Sequence, residues 1–149
     1  MFNKILVPVD GSPSSLHAVE SAAKMVVEGC ARELTILHVT LYPKDVLMVE
    51  GFSSRFDYPQ FQQEVMEKIN EVGRQIIEKA KAKVPPEVPV TSRLENGPPA
   101  ETICEVAEKG GFDLIVIGHR GLGRIQRLLL GSVSTKVTTI APCSVLVIK

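Results

Sequence analysis

The run Leu114-Ile115-Val116-Ile117 is apolar at every position and breaks at Gly118 into a glycine-rich, wholly basic segment, residues 119–130, before Gly131 and Ser132. A strand apolar on both sides of its pleat belongs in a parallel sheet covered by helices on both faces, and Gly118 marks the point where the backbone must turn sharply. Val133, Val137 and Ile140 follow at helical spacing, which predicts a helix with Ser132 as its N-cap. The free N–H groups and the positive end of that helix's dipole would then face the loop. Glycines at 118, 121, 123 and 131 keep side chains out of the way, so the expected guest is an anion.

Charge along the chain agrees with that expectation. No acidic residue follows Asp113, whereas Arg120, Arg124, Arg127, Lys136 and Lys149 do, so this part carries +5 and the remainder, 12 basic minus 17 acidic, carries −5. The molecule is neutral but polarised. Nucleic-acid binding needs a broad positive face that neutralises many phosphates, so no nucleic-acid partner is expected; a single polyphosphate fits better. The common phosphate loops do not match. Gly131 runs directly into Ser132 with no Walker lysine, and Gly121-Leu122-Gly123 lacks the third small residue of a dinucleotide fingerprint, since position 126 is Gln126.

Apolar periodicity organises the rest of the chain. A buried strand is expected over residues 5–9, with Pro8 tolerated at its carboxyl end if a neighbouring strand diverges there. Ser12-Pro13 reads as an N-cap and first-turn pair opening a helix with Leu16, Val19, Ala22 or Ala23, and Val26 or Val27 on its apolar stripe, closed by Gly29. Residues 34–39 form a second strand. Phe61, Val65, Ile69, Val72, Ile76 and Ala80 line a long helix stopped by Pro85-Pro86. A third strand covers about residues 88–94, Ala100, Ile103 and Ala107 mark a short helix ending at Gly110-Gly111, and a last strand covers 145–148. Strands alternating with helices imply right-handed crossovers and an open parallel sheet with helices on both faces, a Rossmann-like α/β fold whose ligands bind beyond the carboxyl ends of the strands. Asp10 and Gly118 both lie at such ends.

The spacing Gly118-x2-Gly121-x9-Gly131-Ser132, together with Val7-Pro8-Val9-Asp10-Gly11-Ser12 and the closing Pro142-Cys143-Ser144-Val145-Leu146-Val147, resembles the ATP-binding branch of the universal stress protein family over essentially the whole chain. The resemblance implies strand order 3-2-1-4-5, which makes the first and fourth strands neighbours and joins the two glycine motifs in one site. It places Asp10 near the ribose or metal side of ATP, Val39 near adenine, and Gly118, Gly121, Gly131, Ser132 and Ser134 around the phosphates. Pro8, Val9, Ile117, His119, Arg120 and Val133 complete the implied ATP-binding set, with Mg²⁺ as a possible companion ion. Independently, the Asp10 carboxylate suits a ribose hydroxyl or a metal-bound water, and Ser132 offers a hydroxyl beside a helix-terminal amide.

Plainer roles compete. Glycines also make tight turns, serine caps helices with no ligand present, Asp10 before Gly11 suits a turn, and the arginines suit a solvated loop face. His17, His38 and His119 show no metal-ligand spacing. Cys30, Cys104 and Cys143 are dispersed, which reads as small buried hydrophobes in a reducing compartment. The 149 residues suit one domain. There is no secretory apolar run and no stretch near the roughly 18 apolar residues of a membrane span, so a cytoplasmic protein without a membrane partner is expected. The segment 41–60, which mixes Tyr42, Met48, Phe52, Phe56 and Tyr58 with Pro43, Gly51 and Pro59, is either an adenine-side lid or partner surface or an ordinary connection.

The last strand, Val145-Leu146-Val147-Ile148, is apolar and expected at a sheet edge blunted only by Lys149, which predicts a homodimer by antiparallel pairing of this strand. Rapid phosphoryl transfer needs a positioned base, metal ligands and charge stabilisation, and the sequence supplies only part of these. The leading reading is therefore an ATP-binding regulatory, stress-response module that signals to a protein partner through nucleotide-dependent conformation of residues 41–60 and 119–130. The alternatives are a slow ATPase or autophosphorylating enzyme, a nucleotide-independent dimeric scaffold, and a binder of AMP or another adenylate.

Overall fold

Apolar alternation along each strand decides how the layers assemble. A computed structural model describes residues 1–41, 58–120 and 130–149, so Gly121, Gly123, Arg124, Arg127 and most of the 41–60 segment lie outside the described residues. The elements are β1 (Phe2–Pro8), α1 (Pro13–Val27), β2 (Ala31–Thr40), α2 (Tyr58–Lys81), β3 (Val90–Asn96), α3 (Pro99–Lys109), β4 (Leu114–Gly118), α4 (Ser132–Ile140) and β5 (Ser144–Ile148). The five strands form one parallel sheet in the order β3-β2-β1-β4-β5, as expected. Ile5, Val7, Leu34, Ile36, Leu114 and Val116 face α1 and α2, while Leu6, Leu37, Ile115 and Ile117 face α3 and α4. Successive strand residues point to opposite faces, so β4 must be apolar throughout to fill two cores at once.

Pro8 sits where the sheet opens. β1 keeps its register with β2 as far as Pro8 opposite Leu37, but its pairing with β4 runs only over Ile5–Leu114 and Leu6–Ile115. The Val9 N–H donates to the Leu37 carbonyl at 2.8 Å, which turns the Pro8 nitrogen toward the diverging β4 side. The missing donor therefore costs no ladder bond.

Several boundaries move from those read in the sequence. α2 ends at Lys81, ahead of Pro85, because Lys83 and Val84 donate to Ala80 and Lys81 and tighten the chain into a turn before the prolines. β3 begins at Val90, since Pro89 has no N–H and contributes only its carbonyl, which accepts from Leu34 at 3.2 Å. On α1, Val19, Ala22 and Ala23 are buried as expected, but Val27 is 55% exposed at the helix end. Cys104 is buried and Cys143 half-buried, where burial pushes both thiols up, whereas Cys30 is exposed rather than a core residue because it lies in the turn after α1.

The amino end of the sheet is fastened by Asp113. Its carboxylate accepts from the backbone N–H groups of Asn3 at 2.8 Å and Lys4 at 2.9 Å, pinning the start of β1 to the start of β4. Burial opposes ionisation of Asp113, but these donors outweigh it and hold the carboxyl below its ordinary value.

Candidate functional site

β1 and β4 part at their carboxyl ends, and two helices begin in the gap. After β1 the chain turns through Asp10 and Gly11, whose φ of +85° disfavours any residue with a Cβ. Asp10 Oδ1 accepts from the Ser12 N–H at 2.9 Å, so the aspartate does shape its own turn. Ser12 caps α1 as expected, its Oγ accepting from the Ser15 N–H at 3.2 Å, and Ser15 Oγ donates back to the Ser12 carbonyl at 3.0 Å.

The second corner is built differently. The N-cap of α4 is Gly131, not Ser132, with φ −69° and ψ 167° and no side-chain capping bond. Ser132 is already the first helical residue and is exposed. An extended glycine before the helix leaves the amide end without a competing side chain, which a serine cap would have supplied. Ser134, buried behind it, donates its hydroxyl to the Gly118 carbonyl at 2.7 Å and so ties α4 to the end of β4.

Gly118 has a reason invisible in the sequence. A Cβ there would stand 2.5 Å from Ser14 Oγ and 2.7 Å from the Ser14 backbone, so the glycine admits the first turn of α1 rather than only bending the strand. Next to it, His119 donates its N–H to the Ile148 carbonyl at 2.8 Å, and its carbonyl accepts from Gly131.

Between these corners lies a cleft of about 400 Å³. Of the residues singled out in the sequence, Pro8, Val9, Asp10, Val39, Ile117, Gly118, Arg120, Gly131, Ser132, Val133 and Ser134 line it. His119 does not, and Gly121 lies outside the described residues. Sequence reading missed Ser15, Leu37, Leu41, Pro99, Ile103 and Leu130. Leu37 and Val39 share one face of β2 by the period of two and Leu41 follows just past the strand's end, which was the available signal; Ile103 read only as a core position of α3 and serves both roles. The result is an apolar wall from β2 and α3 opposite a polar rim from Asp10, Arg120 and the start of α4. Such a cleft suits a ligand with a flat apolar part and an anionic tail.

Asp10 is the carboxylate in this lining, and its Oδ1 accepts from the Ser12 N–H. Among the described residues no cluster of three metal-binding side chains exists. One carboxylate with phosphate oxygens and water fits Mg²⁺, which is seldom held by a dedicated protein cage.

A doubly covered parallel sheet with its cleft at the switch between β1 and β4 defines an α/β protein of Rossmann-like architecture. More particularly, the model of the universal stress protein family matches residues 1–149, and the chain belongs to that family. It is 36% identical over 151 residues to universal stress protein YxiE of Bacillus subtilis, with all of both chains covered. The solved structure of MJ0577 of Methanocaldococcus jannaschii superposes with a TM-score of 0.83 at 27% identity, covering 100% of this chain and 96% of that one. A universal stress protein solved in complex with cAMP gives 0.66 at 25% identity over 99% of this chain and 97% of that one. Among the described residues no helix is long and apolar enough to cross a membrane.

Proposed function

We propose that the cleft binds ATP and that the protein is a nucleotide-responsive regulatory module. The observation that carries this reading is the glycine-capped start of α4, which presents backbone amides to a cleft whose other wall, Leu37, Val39, Leu41 and Ile103, is apolar. Adenine would lie on the apolar wall, Asp10 would take the ribose or a Mg²⁺-bound water, and the phosphates would meet Ser132 and the α4 amides. The similar protein solved with cAMP supports an adenine nucleotide as the class of guest.

Turnover is a lesser part of the proposal. Asp10 already accepts a hydrogen bond from its own turn, and a single carboxylate is a sparse set for activating water and neutralising a leaving group. Binding with at most slow hydrolysis or autophosphorylation follows. Edge strand β5 would be the means of homodimerisation: among the described residues no strand pairs with its outer side, and Leu146 is 38% exposed. A regulatory protein partner would then read the nucleotide state of a cytoplasmic dimer.

Calorimetric titration of nucleotide-stripped protein with ATP, ADP, AMP and cAMP, each with and without Mg²⁺, tests this reading. Dissociation constants on the order of micromolar for ATP, tightened by Mg²⁺, are expected. Equal affinity for AMP would move the reading to a general adenylate binder, and no binding would move it to the scaffold.

A further inference from the structure

His119 stands outside the cleft lining yet touches the last strand, the cap of α4 and the first turn of α1. Its N–H donates to the carbonyl of Ile148, the last residue of β5, and its carbonyl accepts from Gly131, the cap of α4. Its Nδ1 lies 3.1 Å from Ser14 Oγ in the first turn of α1 and 3.1 Å from the same Ile148 oxygen. Ser14 Oγ also receives the Arg120 N–H at 3.4 Å.

The two Nδ1 contacts differ in what they require of that atom. A carbonyl only accepts, so the Ile148 bond exists only with hydrogen on Nδ1, a state in which the Ser14 oxygen can accept as well; with Nδ1 bare, the ring accepts from the Ser14 hydroxyl and the Ile148 bond is lost. The ring thus has two hydrogen-bonding arrangements, one that holds the edge strand and one that holds α1 alone. Both partners are fixed through backbone: Ile148 by the β4 ladder opposite Gly118, Ser14 by its close approach to Gly118.

We propose that His119 is a positioning residue that couples the cleft to the C-terminal edge strand, so that a ligand seated against the start of α4 alters how firmly the end of β5 is held. The proposal rests on the nucleotide reading for the identity of that ligand and on His119 geometry for the coupling itself. Its chemical basis is a discrete two-state element whose balance both sites bias.

Amide hydrogen exchange of the whole protein tests it, first without ligand. His119→Leu is expected to speed exchange roughly three- to tenfold at both 146–149 and 131–134, the opening expected from one lost hydrogen bond. His119→Asn, whose amide nitrogen falls near the place of Nδ1, is expected to restore protection at both segments. Unchanged exchange at 146–149 in the leucine variant, or an asparagine variant that behaves like it, would overturn the coupling. Then Mg-ATP is added to saturation: the wild type should slow exchange at 146–149 as well as at 131–134 and shift the Nδ1 nitrogen resonance between its bare and protonated positions. His119→Leu should lose the effect at 146–149. Wild type that binds ATP with no change at 146–149 rejects the coupling and leaves nucleotide binding standing. Wild type that binds no ATP rejects the nucleotide reading, and the ligand-free comparison then decides the coupling.

Discussion

The corners that follow β1 and β4 are the same connection built to opposite ends. Both lead from the carboxyl end of a central parallel strand into a helix, and both line one cleft. At the first, the polar groups satisfy one another: Asp10 takes the Ser12 N–H, Ser12 takes the Ser15 N–H, and Ser15 returns to the Ser12 carbonyl, leaving Ser12 only 2% exposed. At the second, a glycine caps the helix and the first hydroxyl, Ser132, stays exposed while Ser134 turns back to Gly118. A helix start serves as a receptor when its own side chains do not cap it, and as a strut when they do.

Substitutions at the two corners should separate these roles. The largest effect is expected from Gly118→Ala, which forces a methyl group against the Ser14 backbone at 2.7 Å and should cost about 1–3 kcal/mol in urea unfolding. A variant as stable as wild type would mean that the corners are not in contact. Gly131→Val is next. Its φ and ψ suit valine, so the fold should hold, but calorimetry should show ATP affinity lowered roughly tenfold or more by a branched side chain at the α4 amides. Ser12→Ala should cost about 1 kcal/mol of stability through the lost cap, whereas Ser132→Ala should change stability by no more than about 0.5 kcal/mol and weaken ATP binding instead. Reversal of that pair, measured by thermal unfolding and titration, would break the contrast.

The smallest effect lies at the far end of the sheet and serves as a control. Backbone donors hold the Asp113 carboxyl below the ordinary aspartate value, so its contribution to stability is present above that ordinary value and is lost as pH falls through the lower folded one. Asp113→Asn should flatten the acid limb of a stability-against-pH curve without altering ATP affinity.

Much of this architecture was legible because strands covered on both faces leave short, β-branched, continuous apolar runs bounded by turn residues. The 114–117 run and the Ser12-Pro13 helix start fall where the residues imply, and even Pro8 has the expected cause in the divergence of β4. Strand order is implied by the family resemblance rather than by periodicity, since right-handed crossovers are compatible with several orders. The less legible features depend on contacts distant in sequence. Nothing near Gly118 reveals that Ser14 will press against it, and Pro99 and Ile103 reach the cleft only because α3 packs on the same face as β2. The cap of α4 falls on Gly131 rather than the expected Ser132 for a local reason: serine is the usual cap, and the choice between adjacent residues is a single-residue boundary.

The fully parallel sheet also governs how the chain can be re-engineered. β1 starts and β5 finishes at opposite ends of the strands, and β4 lies between them in the sheet. A β1 of seven residues spans about 23 Å, and two strand spacings add about 10 Å sideways. Joining Lys149 to Met1 in a circular permutant, or threading two copies head to tail without parting their sheets, therefore needs a connector of about eight residues or more even when fully extended. A shorter connector would have to peel β5 from β4, releasing the strand end that His119 holds.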